Sequence, residues 1–375
     1  MTVLAGGRLV TPDGLVGRGW VQTDGRLIAA VGSGTPPGPV DRDLHGAWVV
    51  PGFVDIHVHG GGRASYASGD LDEAVVAADL HRRHGTTTTM ASLVTADIDM
   101  LVNTVAAVAE LVEDGVLAGI HLEGPFLSEA RRGAHDPALL TLPEPGLVER
   151  LLAAGRGTVA MVTLAPELPH ALDAVRRITD AGAIAAVGHT DATYEQTAAA
   201  VDAGATVGTH LFNAMRPLHH RQPGPVGALL EDPRVTVELI CDGAHLHPAI
   251  VRTAVAAAGS DRVALVTDAI AAAGAGDGDY HLGGLEVRVS EGVARLADGG
   301  AIAGSTLTMD RAFRFVVDAG VPMAEAVAMA ATTPARLIGR ADRVGSLRPG
   351  LDADLVVLDD AFMPSGVMHK GAWID

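Results

Sequence analysis

The chain has 375 residues, 48% of them hydrophobic, and a formal net charge of −18, so it can bury a large core but lacks the basic surface that nucleic acid or an anionic membrane requires. Cys241 is the single cysteine and Lys370 the single lysine, which excludes an intrachain disulfide and a thiolate metal site and makes arginine carry almost all the positive charge. No apolar run reaches the roughly 18 residues of a membrane helix, and the first thirty residues have no basic start followed by an apolar core; the expectation is a soluble, cytoplasmic protein.

Residues 3–50 read as short strands between Gly and Pro turns, for example Gly6–Val10, Gly19–Gln22, Arg26–Val31 and Ala47–Val50. Residues 341–375 return to the same texture, with a Gly345–Gly350 turn before Ala353–Leu358. The two ends together predict one small β-sandwich domain, built from 1–50 and 341–375. Between them, over 51–340, strands and helices alternate. Eight strands are expected there: Val54–His59, Thr86–Leu93, Val116–Leu122, Thr158–Leu164, Ala183–Gly188, Thr206–Leu211, Thr236–Cys241 and Val263–Thr267. Amphipathic helical stretches follow most of them, including Leu71–His84, Ile98–Glu113, Leu168–Ala181 and Glu195–Ala203. Eight βα units make a closed (β/α)8 barrel. A doubly wound open sheet is the alternative, but Gly60-Gly61-Gly62 follows a His-x-His strand without the spacing of a phosphate-binding fingerprint.

The chemistry is expected at the strand ends. In Ile120–His135 an apolar strand breaks at Gly124-Pro125 and leaves Glu123 at its carboxyl end, where a barrel keeps its active site. A carboxylate there needs a positive neighbour. His57 and His59, two apart on a strand, face the same side; His189 and His210 each end an apolar strand. Histidines paired with a carboxylate suit a hydrolytic metal site with an open position, whereas each alone reads as an interior hydrogen-bonding residue. His121 shares the face of Glu123 but lies further in and is expected to be interior. Asp268 ends the eighth strand and reads either as a helix N-cap or as a general base toward water, whose pKa a bound metal lowers from about 15.7 to about 7. The fourth strand has no lysine to bridge two ions, so Glu123 takes that part. Arg221 lies in Arg216–Gly224, a Pro- and Gly-rich loop that is the most basic stretch of the chain and suits a phosphate, or else is a solvated surface loop.

Ile120–His135, Gly188–Ala192, Thr209–Met215, Asp242–His245, Val266–Ala269 and Ala303–Met309, six motifs in order over nearly the whole chain, resemble the N-acetylglucosamine-6-phosphate deacetylases of the amidohydrolase superfamily. The resemblance implies Glu123, His189 and His210 as ligands of a divalent metal, most often zinc, with iron, manganese or cobalt as alternatives. It implies one or two ions per subunit: relatives that keep both histidines, as this chain does with His57 and His59, can hold two. Asp268 becomes the catalytic acid/base and His245 the group beside the amide carbonyl. The amino-sugar phosphate would touch Ala134, His135, Asn213, Ala214, Arg221, His245, Leu307, Thr308 and Met309. In such relatives the Arg221 loop reaches the neighbouring subunit's site, which implies a homodimer. The implied reaction is hydrolysis of N-acetylglucosamine 6-phosphate to glucosamine 6-phosphate and acetate, in amino-sugar catabolism and cell-wall recycling. Two other readings remain: an amidohydrolase of cyclic amides or N-acyl amino acids, against which the Arg221 loop speaks, and a non-catalytic barrel, which should have lost a ligand or the base.

Overall fold

A computed structural model describes residues 1–298 and 300–374. Both ends of the chain meet in one eight-stranded sheet. Thr2–Thr11 lies at its centre, antiparallel to Gly14–Asp24 and parallel to Trp48–Pro51, which in turn pairs with Leu355–Leu358 near the far end of the sequence. An apolar cluster of its own, including Leu4, Leu9, Val21, Val49, Leu355 and Met368, stands apart from the main core.

The middle of the chain is a (β/α)8 barrel. Its strands in order are Phe53–Asp55; Thr86–Thr89 continued as Ala91–Val94; Ile120–Glu123; Val159–Leu164; Ile184–Val187; Val207–Gly208; Thr236–Ile240; and Val263–Val266. Neighbours pair in parallel, and the ring closes where the Asp268 N–H donates to the His57 carbonyl at 2.8 Å and the Thr267 hydroxyl to Asp55 at 2.6 Å. Most strand residues are buried, as expected where helices cover a parallel sheet. Several of the helices begin at side-chain caps that satisfy their first N–H groups. Asp70 caps Leu71–Arg83, Asp97 caps Ile98–Glu113, and Thr193 forms a capping box with Gln196 at Tyr194–Ala203.

Three differences from the sequence expectations bear on the site. The first strand ends at Asp55 instead of His59, because the Val58 N–H donates to the Ser92 hydroxyl at 3.0 Å instead of continuing the ladder. The sixth is only Val207–Gly208, because His210 turns away with φ 27. Between the eighth strand and the helix Met309–Asp318 lies an unanticipated three-stranded antiparallel sheet, Gly278–Leu282, Leu285–Ser290 and Val293–Leu296. Among the described residues no helix is long and apolar enough to cross a membrane.

Candidate active site

At the carboxyl ends of the strands the side chains converge on a cavity of about 320 Å³, lined by His59, Glu123, Ala134, His135, His189, His210, Asn213, Ala214, His245 and Asp268, with Leu282, Ala301 and Ile302 at the side of the inserted sheet. Four of these residues sit in left-handed backbone, His189 at φ 47, His210 at φ 27, Ala214 at φ 48 and Asp268 at φ 49. Such conformations are uncommon outside glycine and persist where the surroundings over-determine them. Gly188 permits the turn into His189: a Cβ there would lie 2.7 Å from both Thr163 and Thr209. Gly304, at φ +56, lets its loop pass Asp268, whose carbonyl a Cβ would approach to 2.9 Å.

Glu123 is the hub. Its Oε1 is 3.0 Å from Nε2 of both His189 and His210, and its Oε2 is 3.3 Å from His59 and 3.4 Å from His135. Two sets of potential ligands share it, one with His57 and His59 and one with His189 and His210. The hydrogen bonds test whether a metal fits. His189 Nδ1 faces the Arg131 carbonyl at 3.0 Å, His59 Nδ1 the Ser92 carbonyl at 3.1 Å, and His57 Nδ1 the Glu238 carboxylate at 3.0 Å. Each Nδ1 must therefore donate, which leaves each Nε2 with a lone pair. These lone pairs point at one another and at an ionised carboxylate that can only accept; His57 and His59 Nε2 are 3.2 Å apart, and His189 Nε2 is 3.0 Å from Glu123 Oε1. Acceptors facing acceptors call for a cation, and imidazole with carboxylate is the donor set of zinc and its first-row neighbours.

Protonation without the ion tells the same story. Burial opposes charge on His59, but its contacts with Asp268 and Glu123 outweigh it and raise the pKa to about 9. Burial also works against ionising Glu123 and Asp268; the charge of His57 and the histidine hydrogen bonds prevail and lower both. The cluster thus holds positive charge where a cation would sit.

His245 Nδ1 is 2.7 Å from Asp242 Oδ2, and the backbone N–H of His245 donates to Oδ1 at 2.8 Å. Burial disfavours its charge, but Asp242 prevails and raises the pKa. His135 is different: burial dominates and lowers its pKa to about 4, and Nδ1 bonds Thr95 at 2.9 Å. His121 lies beneath, bonded to Ser92 at 2.9 Å and Thr163 at 2.8 Å, an interior residue as its register indicates. No helix starts at Asp268, which removes the capping reading.

Not every candidate reaches the cavity. Leu307, Thr308 and Met309 are buried and do not line it, Thr308 standing at the start of the helix Met309–Asp318. Arg221 is exposed and borders a separate cleft with Tyr194, Arg216 and Gln222. Two residues that sequence reasoning left without a role stand directly behind the site. Glu238, a lone acid in the apolar strand Thr236–Ile240, was signalled by that oddity; Asp242 was signalled by its spacing of three from His245.

Comparison with known proteins agrees with this geometry. The model of the amidohydrolase family matches residues 48–374. The chain is 38% identical to the N-acetylgalactosamine-6-phosphate deacetylase of Escherichia coli O157:H7, over 99% of this chain and 97% of that protein. It is 34% identical to the N-acetylglucosamine-6-phosphate deacetylase of Bacillus subtilis, over 93% and 91% respectively. Its structure matches a Mycobacterium smegmatis N-acetyl-D-glucosamine-6-phosphate deacetylase mutant, in complex with N-acetyl-D-glucosamine-6-phosphate, with a TM-score of 0.97 and 49% identity over 100% of this chain and 99% of that one. The chain belongs to the amidohydrolase family and, within it, to the N-acetylglucosamine-6-phosphate deacetylases.

Proposed function

We propose that this protein hydrolyses the N-acetyl group of N-acetylglucosamine 6-phosphate, giving glucosamine 6-phosphate and acetate. One observation carries the reading: two sets of potential metal ligands, Asp268 and His245 meet at a single cavity, in a chain that superposes end to end on a relative described in complex with that sugar phosphate. Glu123, His189 and His210 would hold one divalent ion, and His57 and His59 with Glu123 a second. Zinc suits this donor set best. The metal, when bound, acts as a Lewis acid on the amide carbonyl and lowers the pKa of water.

The chain's own groups do the rest. Asp268, ionised at neutral pH, takes a proton from the attacking water; the new bond forms between the water oxygen and the acetyl carbon. His245, held at Nδ1 by Asp242, turns Nε2 to the carbonyl oxygen and donates to it as negative charge develops. Asp268 then passes its proton to the nitrogen as the C–N bond breaks, so acetate and a free amine leave. Ala134, His135, Asn213 and Ala214 line the cavity where the sugar would lie.

The phosphate needs a cation, and among the described residues no arginine or lysine lines the cavity. That supports recognition by Arg221 from a neighbouring copy, and hence a homodimer. A phosphorylated sugar does not cross membranes unaided, so its hydrolysis belongs in the cytoplasm. The 38% identity to an N-acetylgalactosamine-6-phosphate deacetylase favours the 4-epimer as a second reading. Comparing kcat/KM for the two 6-phosphates and for unphosphorylated N-acetylglucosamine tests both. Preference for the galacto epimer would overturn the first, and equal rates with and without phosphate would overturn both.

A further inference from the structure

Glu238 stands in the middle of the seventh barrel strand, Thr236–Ile240, fully buried. A carboxylate at such a place is costly without donors. One oxygen collects both of its side-chain bonds: Oε2 lies 3.0 Å from His57 Nδ1 and accepts the His210 backbone N–H at 3.2 Å. Oε1 has no partner among the described residues, so these two bonds alone aim the group. The main-chain carbonyl of Glu238 accepts the next N–H, from Leu211, at 2.8 Å. A single residue therefore grips two successive amides where the chain leaves the sixth strand, at the left-handed turn that carries His210.

We propose that Glu238 is a positioning residue that joins the two metal-ligand sets through one oxygen. It keeps the proton of His57 on Nδ1, leaving Nε2 free for the ion that His57 shares with His59 and Glu123. It also holds the turn that presents His210 to the other ion. Glu238 does not line the cavity. A carboxylate behind a ligating histidine raises that ligand's basicity, and losing such a partner lowers metal affinity about 10- to 100-fold. The inference rests on the two-ion reading above.

The test is stepwise metal titration of the chelator-stripped full-length protein, with Zn2+ competed against a chromophoric chelator and Co2+ followed by its visible absorption. The step lost in His57→Asn identifies the His57/His59 set. In Glu238→Gln, which can keep an acceptor at the place of Oε2 while removing the charge and turning the other oxygen into an amide NH2, that step should weaken about 10- to 100-fold, the other should hold, and metal-free thermal stability should stay near wild type. The double variant should bind no worse than His57→Asn alone. Two ions in the wild type with both steps unchanged in Glu238→Gln would refute the role of Glu238. So would a uniform loss of both steps together with thermal stability, the mark of a merely structural residue. A wild-type protein that binds a single ion would instead refute the two-ion reading. Should Glu238→Gln not fold, the zinc-loaded wild type decides: a slowly exchanging Nδ1–H proton resonance absent from His57→Asn is expected, and its absence overturns the proposal.

Discussion

Replacing Asp268 with Asn isolates the proton shuttle from everything else the residue does. The substitution leaves the backbone bonds that fix it, from its N–H to the His57 carbonyl at 2.8 Å and from the Ser305 N–H to its carbonyl at 2.7 Å. Asparagine also tolerates the left-handed conformation, φ 49, that the site imposes. Its amide oxygen can keep the place of Oδ1, 3.1 Å from His59 Nε2, and the contacts of Glu123 with His189 and His210 are untouched. Metal content and KM should therefore stay close to wild type. What disappears is a base that acts twice, on the attacking water and on the leaving amine. A positioned acid–base group contributes about 10²–10⁴-fold, or about 2.7–5.4 kcal/mol of barrier, and kcat should fall by at least the lower figure. Acetate release at saturating sugar phosphate, with metal measured on the same sample, gives both quantities. A fully metallated variant retaining more than a tenth of wild-type kcat would move the base elsewhere, His245 first.

Glu123→Gln should lose most bound metal and all measurable turnover, since both ligand sets share this carboxylate; full metal content would sink the site. Arg221→Ala should lower kcat/KM for the 6-phosphate by roughly 10- to 150-fold, the worth of one charge-assisted pair, and spare the slow hydrolysis of the unphosphorylated sugar. Mixed with Asp268→Asn subunits, it should regain part of its activity if the arginine acts across a dimer; an equal loss on both substrates would make it structural. Arg132, which borders a cleft adjoining the cavity at Gly133 and His135, is the control: phosphate discrimination lost in Arg132→Ala would put the reader in the same subunit. His81 is fully buried, and burial lowers its pKa from 6.5 to about 4 despite its bond to the Gly60 carbonyl. Because the folded state resists a proton that the unfolded chain accepts, stability is full above about pH 6.5 and falls as pH drops toward 4, by about 3 kcal/mol at most. Denaturant unfolding at pH 7 and pH 5 should show a loss that His81→Asn reduces, and identical slopes in both proteins would contradict the assignment.

Much of this architecture was legible because period and chemistry coincided. Ile98–Glu113 shows a clean apolar stripe and forms that helix, and apolar runs ending in His, Glu or Asp locate the mouth of the barrel. Strand ends were less legible where side chains compete with the ladder, as Ser92 does at Val58, or where a ligand occupies a left-handed turn, as at His210. The inserted sheet Gly278–Leu296 escaped notice because its strands are short and half-exposed. Glu238 and Asp242 were visible as residues but not as partners. Their roles depend on contacts across 181 positions to His57 and three to His245, and only folding makes the first.

Acetate release from N-acetylglucosamine 6-phosphate by the chelator-stripped protein, before and after a single divalent metal is restored, tests the central claim most directly. The stripped protein should be inactive and should recover in proportion to the metal bound, zinc first. Undiminished acetate release from metal-free protein, or none after zinc, iron, manganese or cobalt is bound at Glu123, His189 and His210, would contradict it.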